Sequence, residues 1–232
     1  MSTGHDKGKV LLITGASSGI GAATAELAAQ AGFRLVLAAR DKNKLDVLAA
    51  KLGGDVLAVK CDVQSWESQQ AMVKQALDHF GQIDVVFANA GRGSGPGGFS
   101  GADPEVWHDV VLTNVLGPAL TLRASLEALK QQQGQVLITG SVAGRRSLPG
   151  SFYGITKWAM SGLAGNLREE LKGSGVRVTL IEPGMVDTPF FDEAQKQALR
   201  PNDIARSVLF AIQQPAGCEI HDLCMLPTPP VD

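Results

Sequence analysis

Tyr153 and Lys157 stand four residues apart in a segment of helical periodicity, so their side chains are neighbours on one helix face. A tyrosine has an ordinary pKa of about 10, too high for an efficient base near neutral pH. A lysine cation at ~4 Å in an effective dielectric of ~20 supplies on the order of 4 kcal/mol, enough to draw such a phenol toward neutrality, with desolvation opposing part of it. That phenol can give a proton to an oxygen when a carbonyl is reduced, and take one when an alcohol is oxidised. Ser141, shortly upstream, would donate a hydrogen bond to the same oxygen and stabilise the charge that develops there. Taken singly, each has a plainer reading: a turn serine, a core aromatic, a solvated helix charge.

A second set of residues reads as an anion cradle. The run Thr14-Gly15-Ala16-Ser17-Ser18-Gly19-Ile20-Gly21 has the spacing GxxxGxG, not the GxGxxG of the common dinucleotide fingerprint, but the physics is the same. Gly15 permits a tight turn, Gly19 lets backbone approach a phosphate, and Gly21 allows close packing. The helix that follows offers unpaired N–H groups, to which the Ser17 and Ser18 hydroxyls add donors. A glycine-rich connection without a ligand is the competing reading. Arg40 lies where the adenosine ribose should be met, and its guanidinium can fork onto a 2′-phosphate, which points to NADP(H). The adjacent Asp41 would instead bind the free 2′-hydroxyl of NAD(H), which stays open. Asp62 could accept from an adenine amino group or cap the next helix.

These residues need a frame that brings them together. Short runs rich in Val, Ile and Leu at 10–14, 34–39, 56–61, 83–88, 135–139, 176–181 and 219–226 read as strands, and the first six are almost continuously apolar, as parallel strands covered on both faces are. Amphipathic segments at 22–31, 42–52, 65–80, 104–130, 153–172 and 201–213 read as the intervening helices. Alternating βα units give an α/β fold: a single doubly wound, Rossmann-type parallel sheet with helices on both faces, here one domain over residues 1–232. Ligands in such sheets sit outside the carboxyl ends of the strands. Asn89-Ala90-Gly91, Gly140-Ser141 and Pro183-Gly184 follow strands four, five and six at just those ends.

Composition narrows the classes further. Lys and Arg number 21 against 23 Asp and Glu, which gives no electrostatic footprint for nucleic acid or an anionic membrane. No apolar run approaches the roughly 20 residues of a spanning helix. The polar start carries no hydrophobic signal segment, so a cytoplasmic location is expected. Cys61, Cys218 and Cys224 lack a CxxC spacing, and His5, His79, His108 and His221 are scattered, so neither a disulfide framework nor a metal site is expected.

In chain order the motifs are TGxxxGxG, Asn-Ala-Gly, Asn114 within a helix, Ser141, Tyr-x-x-x-Lys and Pro-Gly. Together they resemble the short-chain dehydrogenase/reductase family over nearly the whole chain. The resemblance implies an NADP(H)-dependent oxidoreductase that moves hydride between nicotinamide and a carbonyl or secondary alcohol of a small organic substrate. It implies catalytic roles for Asn114, Ser141, Tyr153 and Lys157. It assigns cofactor contacts to the glycine-rich turn with Ile20, to Arg40, Asp62, Val63, Asn89, Ala90, Gly91, Tyr153, Lys157, Pro183 and Gly184, and to Val186 and Thr188 near the carboxamide. In that family the main-chain carbonyl of the helix Asn holds a water linking the lysine to bulk. Here Pro118, four residues on, has no N–H to occupy the Asn114 carbonyl, although a plain kink capped by Asn114 would also fit.

Two departures stand out: the Ser141 to Tyr153 spacing is one residue shorter than is usual in the family, and the loop at 92–101 is unusually rich in glycine. Met185, Phe190 and Phe191 could wall an apolar substrate pocket or merely cover the core. Arg145 and Arg146 could steer an acidic substrate. The helices at 104–130 and 153–172 carry apolar residues on more than one face, including Val110, Val111, Val115, Trp158, Met160 and Leu163. Together with the resemblance, this implies a homodimer or homotetramer. Two other classes remain open: a catalytically silent nucleotide-sensing or scaffold protein on this fold, and a methyltransferase, which would need no Tyr-x-x-x-Lys.

Overall fold

The structure, a computed structural model, describes residues 8–191 and 193–228. The polar start with His5, and the last residues of the Pro-rich tail, lie outside the described residues. Seven strands form one parallel sheet: β1 (Val10–Thr14), β2 (Arg34–Ala39), β3 (Val56–Lys60), β4 (Val85–Ala88), β5 (Gln135–Thr139), β6 (Arg177–Pro183) and β7 (Asp222–Met225), in the order β3-β2-β1-β4-β5-β6-β7. The order reverses between β1 and β4, and their carboxyl ends frame the crevice where such sheets bind ligands.

Successive side chains on a strand point to opposite faces, and each face has its own core. Leu11 and Ile13 pack with Ala25 of α1 (Gly19–Gln30), Leu45 of α2 (Lys42–Leu52) and Ile204 of α8 (Pro201–Ile212). Val10 and Leu12 face Met72 of α3 (Trp66–Phe80), Leu126 of α6 (Gly117–Gln132) and Met160 of α7 (Phe152–Glu170). Apolar residues at both odd and even positions are therefore needed, which is why the strands read as continuous runs. Each fully buried Leu or Ile contributes about 1.5–3 kcal/mol.

The structure departs from the expected elements where chemistry is placed. The segment at 104–130 is not one helix but α5 (Pro104–Val111), a π-helical turn (Leu112–Leu116) and α6. Pro118 cannot donate to the carbonyl four residues back, and the bonding pattern slips by one: the Gly117 N–H donates to the Leu112 carbonyl instead. A short α4 (Gly98–Gly101) lies in the glycine-rich loop, and a 3-10 turn (Val142–Gly144) follows β5. The apolar residues expected against a partner divide. Val110 and Met160 belong to the core, Val115 and Leu163 are half-buried against it, and Val111 and Trp158 are exposed. No helix among the described residues is long and apolar enough to cross a membrane.

Candidate active site

One cleft of about 710 Å³ opens at the carboxyl ends of the strands. Gly15, Ser17, Ser18, Gly19, Ile20, Arg40, Asp62, Val63, Asn89, Ala90, Gly91, Ser141, Tyr153, Lys157, Pro183, Gly184, Val186 and Thr188 all line it. Gly21 and Asn114 do not. Gly21 lies beneath the turn, where an added Cβ would come within 2.4 Å of the Gly15 carbonyl oxygen. Gly15 has a φ of +66°, and a Cβ there would stand 2.9 Å from the Ala90 Cα. The cradle is therefore closed to side chains, and Ser18, the N-cap of α1, spends no side-chain bond on capping the helix. This donor set fits a dinucleotide pyrophosphate.

The far wall separates the candidates for the ribose end. Asp41 caps α2, its carboxylate accepting from the Lys44 N–H at 3.1 Å. Arg40 is exposed and has no ion-pair partner among the described residues. Asp62 does not cap α3; Ser65 does, accepting from the Ser68 N–H, while Asp62 Oδ1 accepts from Gln64 N–H at 3.0 Å in the preceding turn.

At the other end, Ser151 caps α7 by accepting from the Gly154 N–H at 3.0 Å, and the Tyr153 N–H donates to Ser94 Oγ at 3.2 Å. Tyr153 is thereby held in the first turn of the helix, facing β5. Burial, opposed in part by a hydrogen bond with the Ser141 hydroxyl, leaves its phenol pushed up to about 12. The shorter Ser141 to Tyr153 spacing has not turned the serine away. Lys157, 4% exposed, donates to the Thr139 carbonyl at 2.8 Å, with Nζ 5.4 Å from the centre of the Tyr153 ring. Burial lowers the lysine to about 8. The ammonium sits beside the ring with the Thr139 carbonyl as its partner, and loss of water is the largest influence on the phenol in this structure.

Asn114 acts as a brace rather than a cap. Its Oδ1 accepts from the Arg92 N–H at 2.8 Å, and its Nδ2 donates to the Arg92 carbonyl at 2.8 Å and to Thr156 Oγ1 at 3.1 Å. It thus ties the π turn to the loop after β4 and to α7. Thr14, Ser94, Thr139 and Thr156 are site residues that sequence reasoning passed over. Thr14 Oγ1 accepts from the Asn89 and Ala90 N–H groups, and Thr156 Oγ1 donates to the Tyr153 carbonyl at 2.7 Å. Thr14, Thr139 and Thr156 adjoin or fall within motifs already recognised, which was the available signal; Ser94 offered none.

Met185, Phe190 and Phe191 line the cleft, and the Phe190 ring meets Tyr153 edge-on at 5.5 Å. Of the two arginines, Arg146 lines the cleft, but Arg145 is committed elsewhere, to Glu182 and Asp222. Its expected role in steering a substrate is therefore withdrawn. No group of three or more His, Cys, Asp or Glu among the described residues is placed to hold a metal ion.

A family profile described as short chain dehydrogenase matches residues 9–199. The chain belongs to that family. It is an oxidoreductase by family, and its relatives agree over full length. A protein named an uncharacterised oxidoreductase, from Staphylococcus epidermidis, is 35% identical over 226 residues, 95% of this chain and 98% of that one. The alcohol dehydrogenase from the archaeon Thermococcus sibiricus, complexed with 5-hydroxy-NADP, superposes with a TM-score of 0.90 at 33% identity, covering 97% of this chain and 99% of that one. The 3-ketoacyl-(acyl-carrier-protein) reductase from Brucella melitensis, complexed with NADH, gives 0.87 at 29% identity, covering 94% and 97%. A nicotinamide dinucleotide is thus the cofactor class this cleft suits, and small molecules are the substrate class of the family.

Proposed function

We propose that this oxidoreductase uses NADP(H) to interconvert a carbonyl and a secondary alcohol on a small organic substrate, with Tyr153 as general acid and base. The observation that carries the reading is the meeting of Ser141, Tyr153 and Lys157 in the same cleft as the closed glycine cradle. The nicotinamide, when bound, supplies or accepts the hydride. In reduction, the Tyr153 hydroxyl gives its proton to the substrate oxygen, while the Ser141 hydroxyl donates a hydrogen bond to the same oxygen. With its pKa raised by burial, Tyr153 is fully protonated at neutral pH, ready to donate. Lys157 lies beside the phenolate that remains and offsets its charge. Pro118 frees the Asn114 carbonyl from its usual helical donor, which suits a role in returning a proton toward Lys157. In oxidation each proton moves the other way. The exposed guanidinium of Arg40, which has no ion-pair partner among the described residues, supports NADP(H) over NAD(H).

The same proposal treats residues 1–232 as one dinucleotide-binding unit in the cytoplasm. It includes a homodimer or homotetramer formed through α5, the π turn, α6 and α7, where Val111, Leu116, Ile155 and Trp158 are 39%, 39%, 49% and 51% exposed. Sedimentation as a monomer at micromolar concentration would remove the assembly from the proposal.

The deciding experiment is fluorescence titration with NADPH and NADH, followed by turnover on a panel of ketones and alcohols. Tighter NADPH binding, with turnover that Tyr153→Phe abolishes, is expected. Binding without turnover, and a Tyr153→Phe protein indistinguishable from wild type, would replace the enzyme by a nucleotide-sensing protein.

A further inference from the structure

Glu182 is a carboxylate 1% exposed at the end of β6, inside the sheet's cover, where an uncompensated charge is expensive. Its partner is Arg145, whose Nε donates to Glu182 Oε2 at 2.6 Å and whose second nitrogen closes the fork on the same oxygen. Asp222 of β7 stands 3.5 Å from that guanidinium and bonds Arg168 of α7 at 3.0 Å, so cations and carboxylates alternate across four elements. None of the four touches the reacting atoms.

What they surround is the turn that aims Ser141. Ser141 opens this 3-10 turn and Arg145 ends it, with the Gly144 N–H donating to the Ser141 carbonyl at 2.9 Å and the Arg145 N–H to the Val142 carbonyl at 3.1 Å. On one side Gly144 packs against the α7 backbone, where an added Cβ would be 2.6 Å from the Lys157 carbonyl oxygen. On the other side Ser141 Oγ donates to the carbonyl of Pro183, the residue after Glu182, at 3.3 Å. A turn pressed on one flank by backbone needs an anchor on the other, and the only ion pairs that the described residues of this turn make are those of Arg145, with buried Glu182 and with exposed Asp222.

We infer that Arg145 and Glu182 are positioning residues that clasp the Ser141 turn to the end of β6 and hold the serine hydroxyl on Tyr153. Their catalytic consequence rests on the function proposed above; the placement of Ser141 does not. The chain has one tyrosine, so isotope-labelled tyrosine gives a single ring resonance that reports the Ser141 contact in the free protein, without cofactor or substrate. Ser141→Ala sets the size and direction of the full shift. Arg145→Leu and Glu182→Gln should move the resonance the same way by at least half as much, Arg145→Lys by less, and Arg145→Leu with Ser141→Ala no further than Ser141→Ala alone. In turnover, Arg145→Leu and Glu182→Gln should lower kcat part of the way toward the roughly 100-fold loss expected for removing one oxyanion donor, with KM little changed.

A resonance that stays at the wild-type position in folded Glu182→Gln or Arg145→Leu while Ser141→Ala moves it overturns the clasp. So does a Ser141→Ala protein whose resonance does not move, since there is then no contact to hold. A Tyr153→Phe enzyme as active as wild type would instead overturn the proposed chemistry and leave the resonance result standing.

Discussion

At the nucleotide end of the cleft the chain works with backbone: Gly15 at a positive φ, Gly21 packed under its carbonyl, and the open N-terminus of α1, all from one continuous stretch. At the reaction end it works with side chains from segments far apart in sequence. Asn114 joins Arg92 to Thr156, Lys157 reaches Thr139, and Ser141 reaches Pro183 and Tyr153. The first end is open to water at Arg40, and the second has its ionisable groups buried. The contrast teaches that anion binding needs only a local conformation that side chains would obstruct. Proton transfer needs groups whose charge states are set by a dry, cross-braced surrounding.

Four substitutions would break or sharpen that contrast. Tyr153→Phe should weaken NADPH binding by no more than a few-fold, about one hydrogen bond, and lower kcat by about 100- to 10,000-fold, measured by steady-state turnover beside the fluorescence titration. An equal loss of binding would mean that the two ends are not separable. Gly21→Ala places a methyl 2.4 Å from the Gly15 oxygen and should weaken NADPH by about 1–3 kcal/mol, with thermal stability also reduced. Tight binding retained in that variant would show that the turn can yield. Arg40→Ala should cost roughly tenfold in NADPH affinity, about 1.4 kcal/mol, and leave NADH untouched. Equal losses for both cofactors would mark Arg40 as a general surface charge.

The fourth substitution acts on stability. Lys157 titrates at about 8 because burial disfavours its charge, below the ordinary lysine value, so at neutral pH the folded state carries a penalty that the unfolded chain does not. Lys157→Met removes that penalty and should be more stable than wild type at pH 7, by up to about 3 kcal/mol, while losing turnover. The wild-type lysine gives up its proton first in the folded state. Its stability therefore rises relative to the variant as pH climbs from about 8 toward the ordinary lysine value, and the gap closes there. Denaturant unfolding at neutral and alkaline pH checks the sign.

Much of this was legible in the sequence. The first six strand positions follow from almost continuous apolar runs, because a parallel sheet covered on both faces demands them. The glycine turn, Asn89-Ala90-Gly91, Ser141 and Pro183-Gly184 follow from their places at strand ends, and Tyr153 with Lys157 from their four-residue spacing on one helix face. Illegible were relations across the chain. The π turn at Asn114 depends on how the helix resolves the missing Pro118 donor, Ser94 holds Tyr153 from a loop whose glycines admit many paths, and Arg145 reads as a free cation until Glu182 is seen beside it.

The amino-acid order alone determined which segments become strands and helices and which residue types arrive at the crevice, since periodicity and backbone preference act over a few residues. Only the packed molecule decided the state of those groups. It raised Tyr153, lowered Lys157, engaged Arg145 and left Arg40 without an ion-pair partner among the described residues, because desolvation and ion pairing depend on what lies within a few ångströms in space, however far apart the partners are along the chain.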